Sequence, residues 1–340
     1  MSTQMLREIR EIPQVARRQL GEGAAIYREA GERLRRDQPR FIATCARGSS
    51  DQAVTYFKYL VETRLGLPVA SIGPSVASVY GSRLQFADGV LLTVSQSGGS
   101  PDLVSLQEKA REGGARTLAL LNVTESPVGN GADSVLPMLA GPEKAVAATK
   151  SFVASQIALA GLFATWSADQ ALLTALAALP DQLEEALECD WSAAATPVAA
   201  AHSLYSLSRG PGLGIAGEAA LKLKETCRLH AEAYSAAEVR HGPIALARDR
   251  FAAIAFATGD QADRSIADAS KALTDAGATV FFAGAKLPGA TPLPTATTGH
   301  ALLNPISMVV SFYRFVETLA VALGENPDTP KLLRKVTETV

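Results

Sequence analysis

Short apolar runs, each closed by a glycine- or serine-rich turn and then a helical stretch, recur along this chain and restrict it to one broad class of fold. RFIATCA (40–46), PVASI (68–72), GVLLTVS (89–95) and TLALLNV (117–123) are almost continuous in apolar and β-branched residues. Such strands need cover on both faces, and helices between successive strands make the sheet parallel. The alternation starts again at HSLYSLS (202–208). It continues through a helix from about 217 to 230, RFAAIAFAT (250–258), TVFFAGA (279–285) and a long helix from about 302 to 323. ARG at 46–48 and SRG at 208–210 follow the opening strand of each half, and Glu-Thr pairs at 62–63 and 225–226 fall at nearly the same offset. A period of about 160 residues is too long for a solenoid and marks a duplicated domain. The predicted fold class is therefore α/β, with two tandem domains, each a doubly wound parallel sheet flanked by helices. Ligands of such sheets bind at the carboxyl ends of the strands.

The expected organisation is an N-terminal helical segment over 1–36 interrupted by Pro13, a first domain over 37–166 and a helical connector over 167–192. A second domain over 193–327 and a tail over 328–340 follow. At 340 residues, 47% hydrophobic and 19% charged, the chain has enough apolar material for two cores. The net charge is −2, with Lys and Arg scattered. Neither a nucleic acid nor a membrane is expected as a partner, since both call for a basic face. Three cysteines without a C-x-x-C pair argue against disulfides and structural zinc. No two of the four histidines have metal-ligand spacing, so no metal or other cofactor is expected. The charged N-terminus lacks the apolar core of a signal peptide. The stretch read as most apolar, 155–166, is shorter than the ~20 residues of a bilayer span. The expected location is the cytoplasm.

VSQSGGSPD (94–102) closes a strand and opens a helix. Ser95, Ser97 and Ser100 offer hydroxyls, Gln96 an amide, and Gly98-Gly99 let the backbone approach a ligand. With the free N–H groups of a helix start, this suits a phosphate monoester; a plain Ser/Gly cap is the alternative. ARGSSD (46–51) has the same construction, and its Arg47 either meets a phosphate or pairs with an acid. AVAATKSF (145–152) is a third such turn. On the helix near 217–230, Lys222 and Glu225 share a face, as a surface ion pair or as a functional pair. His241 lies in a Gly-Pro turn, either as a loop-borne acid/base or as a solvated residue. The tail, NPDTPKLLRKVTETV (326–340), reads on its own as frayed.

SQSG-x-S, A-x-TK-x-F, ALKLKE, HAEAY, HGP and the D-x-P-K-x-L-x-K tail together resemble the two-SIS-domain phosphosugar isomerases and deaminases. The resemblance covers essentially the whole chain and extends to the isomerase half of glucosamine-6-phosphate synthase. It implies a phosphate loop at Ser95, Gln96, Ser97 and Ser100, with Ser50, Ala147 and Ala148 lining the sugar pocket. It further implies Glu225 as the isomerising base with Lys222 beside it, and His241 as the ring-opening histidine shared across a homodimer interface. Lys335 matches the tail lysine that contacts the open-chain carbonyl and can form an imine with it. The implied substrate is a sugar phosphate. Gly99, Ala148 and Arg47 depart from the synthase, which has Glu, Ser and Cys there, and the first two remove polar groups near the sugar. No residue near the N-terminus matches a glutaminase nucleophile, so the expected reaction is glucosamine 6-phosphate to fructose 6-phosphate plus ammonia, or the reverse. Deglycation of a fructosamine 6-phosphate and non-catalytic sensing of a sugar phosphate are the alternatives. A sensor has no use for the Glu225, His241 and Lys335 trio.

Overall fold

The computed structural model describes residues 2–248 and 250–335. It divides into two compact units.

One unit takes in residues 14–143, 150–174 and the chain from 334. Its sheet comprises β1 (Phe41–Cys45), β2 (Val69–Ser71), β3 (Gly89–Ser95), β4 (Arg116–Leu121) and β5 (Ser134–Pro137), all parallel in the order β2-β1-β3-β4-β5. All seven residues of β3 are buried, as the continuous apolar run requires of a central strand. The helix Lys150–Trp166 is buried on almost every side and packs against Ala24–Asp37 and Ser49–Leu65. Pro13 falls in the first turn of the helix Ile12–Arg18, where its missing N–H costs nothing.

The other unit takes in residues 1–13, 144–149 and 175–333. It holds β6 (Ser203–Ser208), β7 (Ala231–Ser235), β8 (Phe251–Phe256), β9 (Thr279–Ala283) and β10 (Thr291–Leu293), parallel in the order β10-β9-β8-β6-β7. Read from its other edge, this is the order of the first sheet, so the duplication seen in the sequence is a duplication of topology. Trp191 joins its core, 6.0–6.3 Å from the ring centroids of Phe256, Phe312 and Phe315. Its indole N–H donates to the Pro294 carbonyl.

Among the described residues the stretch Ala301–Ala322, and not 155–166, is the one long and apolar enough to cross a membrane by length and composition. Of its most apolar window, 78% is buried inside the unit, as in the core helix of a globular domain.

Candidate functional site

In the first sheet β1 leads out to the edge strand β2, while β3 leads to β4 on the other side. The loops after β1 and β3 therefore diverge and leave a crevice, the usual ligand position in this strand order. Gln96–Ser100 is the loop after β3. Ser95 Oγ accepts the Gly98 N–H at 3.0 Å, and Ser97 Oγ accepts the Gly99 N–H at 3.4 Å. Gly98 has φ +62, and a Cβ there would lie 2.1 Å from Ser126 Oγ, so this turn needs glycine for two separate reasons. Ser100 is the N-cap of the helix Pro101–Glu112, yet its side chain makes no capping bond. The hydroxyl is left for something else at a helix end that favours negative charge.

Arg47, on the loop after β1, donates through Nε (3.1 Å) and Nη2 (2.7 Å) to the fully buried carboxylate of Asp102, in the first turn of that helix. Of the two uses read for Arg47, the structure shows the ion pair. Its effect is still electrostatic, because a bare Asp102 would repel an anion from the loop. Ser50 stands in the first turn of the helix Ser49–Leu65, which opens at Gly48. Burial raises the pKa of the neighbouring Asp51, partly countered by the Arg47 charge and a hydrogen bond from Ser71. In the same unit, the carboxylate of Glu143 accepts hydrogen bonds from the Ser151 N–H, Ser151 Oγ and Lys335 Nζ.

In the second unit, Ala147 is buried and Ala148 half-buried; both offer only a methyl and the backbone. Their segment is tied down by the buried Glu8, which accepts the N–H groups of Lys144 and Ala145. The start of the tail is tied as well. The Asp328 carboxylate accepts the N–H groups of Gln4 and Met5, and its carbonyl accepts that of Val146. The tail is held at Asp328 and again at Lys335, with 331–334 exposed between them, and 336–340 lie outside the described residues.

On the helix Leu213–Cys227, Glu218, Lys222 and Glu225 follow at i, i+4 and i+7 along one face. Lys222 is wholly buried, with Nζ 2.5 Å from Glu225 Oε2 and 3.3 Å from Glu218 Oε1. Tyr313 donates its hydroxyl to Glu218 Oε1 at 2.7 Å. The surface-pair reading fails, since no part of the Lys222 side chain reaches solvent. Burial by itself would lower the Lys222 pKa, but Glu218 and Glu225, by charge and by hydrogen bonds, raise it above the ordinary lysine value. The result is a permanent buried cation holding a carboxylate, Glu225, that keeps 24% of its side-chain surface exposed. Glu218 and Tyr313 escaped the sequence reading. The i, i+4 spacing of Glu218 to Lys222 was the available signal; nothing local marks Tyr313.

His241 is exposed and ends the short turn Glu238–Arg240, just before Gly242 at φ +134. It lines an open cavity of about 540 Å³ with Arg240, Gln261, Arg264, Ser265 and Asp268. Lys222 and Glu225 do not line it. Two of the other three histidines have local tasks: His230 Nδ1 bonds Ser203 Oγ, and His300 caps the turn Ala301–Leu303. Among the described residues no cluster of His, Cys, Asp and Glu is arranged to hold a metal.

Chemically, the first unit offers a neutral, hydroxyl-lined helix start suited to an anion. The second offers a reachable carboxylate hydrogen-bonded to a buried ammonium.

A family model for the SIS domain matches residues 37–165 and 198–321. Glutamine–fructose-6-phosphate aminotransferase (isomerizing) of Symbiobacterium thermophilum is 34% identical over 321 residues, which are 87% of this chain and 51% of that protein. The chain spans about half the length of the curated relatives it matches. A protein of Silicibacter pomeroyi DSS-3, provisionally described as a phosphosugar isomerase, superposes with a TM-score of 0.93 at 45% identity, covering 96% of this chain and 100% of that one. The C-terminal domain of glucosamine-fructose-6-phosphate aminotransferase from Francisella tularensis shares the fold, with a TM-score of 0.85, 22% identity, and coverage of 97% and 99%. Matched in both halves and over more than half its length, the chain belongs to the SIS domain family.

Proposed function

We propose that this protein is a phosphosugar isomerase acting on an amino-sugar phosphate, converting glucosamine 6-phosphate to fructose 6-phosphate and ammonia, or running the reverse. The observation that carries this reading is the buried Lys222 holding the partly exposed Glu225. A positioned carboxylate of this kind is what proton transfer between adjacent sugar carbons needs. The Ser95–Ser100 loop takes the phosphate. Glu225 removes the C2 proton of the open-chain aldose and returns a proton to C1, giving the C2 imine. Water then adds to the imine carbon and ammonia leaves, yielding the ketose.

His241 opens the sugar ring, and in this reading it does so in the site of a second copy of the chain. Its exposure on a cavity not lined by Glu225 supports that assignment. The relatives' names support the substrate class, and Gly99 and Ala148 leave room for variation in the sugar.

The test is product analysis with glucosamine 6-phosphate and, in parallel, fructoselysine 6-phosphate. Equal amounts of ammonia and fructose 6-phosphate from the first are expected. Lysine release from the second alone would make the protein a deglycase, and binding without turnover of either would make it a sensor. Mixing Glu225→Gln copies with His241→Ala copies should restore part of the activity; no recovery despite demonstrated subunit exchange would contradict the shared histidine.

A further inference from the structure

The helix Gln4–Arg10 ties together two distant stretches of chain through two carboxylates, its own Glu8 and the incoming Asp328. Glu8, wholly buried, accepts the Lys144 N–H at 2.5 Å and the Ala145 N–H at 3.3 Å. Gln4 Nε2 donates to the same carboxylate at 2.9 Å. At the start of the helix, the half-buried Asp328 carboxylate accepts the N–H groups of Gln4 (2.8 Å) and Met5 (2.7 Å). The Asp328 carbonyl in turn accepts the Val146 N–H at 3.0 Å. Residues 144–146 belong to no helix or strand, yet the N–H of each is fixed by Glu8 or Asp328. The next two residues are Ala147 and Ala148, whose methyls have no rotamers to adjust. Their position follows the main chain alone, and the main chain leading to them is set by this clamp.

We propose that Glu8 is a specificity-determining positioning residue: with Asp328 it fixes the main chain of 144–146, and so the Ala147–Ala148 wall, for recognition of the sugar and not of the phosphate. The contact with the sugar rests on the function proposed above; the clamp does not. A wall already fixed costs no ordering when the sugar binds, whereas a loose one gives part of the binding energy back. The Ser95–Ser100 loop is built within the other compact unit, so a bare phosphate reads that loop and not this wall.

Two experiments on the full chain test this. Without ligand, amide hydrogen exchange is followed by peptide mass in the parent, Glu8→Ala and Asp328→Ala. Asp328→Ala leaves every acceptor of residues 144–146 in place, so faster exchange there reports transmission through the helix. Several-fold faster exchange over 144–146 is expected in both variants. Acceleration confined in Asp328→Ala to Gln4 and Met5 overturns the clamp as a unit. Calorimetry then compares fructose 6-phosphate with inorganic phosphate. Glu8→Ala should bind fructose 6-phosphate about tenfold more weakly, the size of one lost hydrogen bond, while inorganic phosphate stays within about twofold. Loss of both alike, or of neither, overturns the role in sugar recognition. Glu8→Gln keeps one acceptor and should fall between, and it decides the matter if Glu8→Ala does not fold. A parent that binds fructose 6-phosphate no better than inorganic phosphate overturns the sugar role as well. Absence of ammonia release from glucosamine 6-phosphate, with fructose 6-phosphate still bound, overturns the proposed reaction alone.

Discussion

The two halves share a strand order, yet the loop after β3 and the loop after β8 are filled differently. After β3, hydroxyls and glycines bound the turn, and Asp102, the acid in the first turn of the following helix, is neutralised by Arg47. After β8, the chain fills its own turn: Asp263 takes the Gly259 N–H on both oxygens, and Asp260 takes the Ala262 N–H. Burial above all raises the Asp263 pKa, opposed by the Gly259 N–H and reinforced by the Asp260 charge. Those carboxylates satisfy the same kind of donors that an external phosphate would need, and their charge repels one. The helices after the opening strands differ in the converse sense. Lys58 and Glu62 are a loose surface pair, 3.8 Å apart and 40% and 31% exposed, whereas Glu225 is held tightly by a Lys222 that is wholly buried. Duplication of a scaffold thus left the hydroxyl-lined loop in one half and the buried charged pair in the other.

The largest effect should come from breaking the second contrast. Lys222→Met leaves Glu218 buried without its cation and should destabilise by about 3–5 kcal/mol, against less than about 1 kcal/mol for Lys58→Met, as read by urea unfolding. Because the folded Lys222 pKa is raised, its contribution is complete below the unfolded lysine value of ~10.4 and is lost as pH rises through the folded value. The gap between the two variants should therefore hold across neutral pH and narrow only in strong alkali. If both lysines cost the same, the contrast disappears.

Giving the first loop the character of the second is the next largest change. Ser97→Asp places a charge where the phosphate is proposed to sit, and should weaken sugar-phosphate binding by more than the about 1–3 kcal/mol expected for losing one hydrogen bond to a charged group. Calorimetry that finds unchanged affinity would remove the loop from the account. The smallest effect belongs to Asp263→Asn, which keeps one acceptor for Gly259 and should shift stability by less than about 1 kcal/mol. A raised carboxyl favours the fold at low pH and loses that advantage as pH climbs from the unfolded value toward the folded one. The variant should lack that acid-side gain, with binding untouched.

Central strands were legible because burial on both faces forces a continuous apolar run, so GVLLTVS over 89–95 matches β3 residue for residue. The edges were not. β5 ends at Pro137, β10 carries Pro292, and β7 alternates Glu232 and Tyr234 with alanines; an edge strand pairs on one side and tolerates such residues. The pairing of Lys222 with Glu225 followed from helical spacing, but its burial did not, since Tyr313 and Glu218 meet across 95 positions. The Arg47 ion pair was one of two uses its sequence allowed, and the partner, Asp102, lies 55 residues away. Glu143 gave no local sign, because its partner Lys335 is 192 residues distant.

Steady-state kinetics of Glu225→Gln beside Ser97→Ala test the central claim most directly. Glu225→Gln keeps the shape of the side chain and removes the proton acceptor. It should cost about 10² to 10⁴ in kcat with little change in KM, the mark of an interaction made in the transition state. Ser97→Ala should mainly raise KM. Near-normal kcat in a folded Glu225→Gln protein would contradict the account and leave a protein that binds a sugar phosphate without isomerising it.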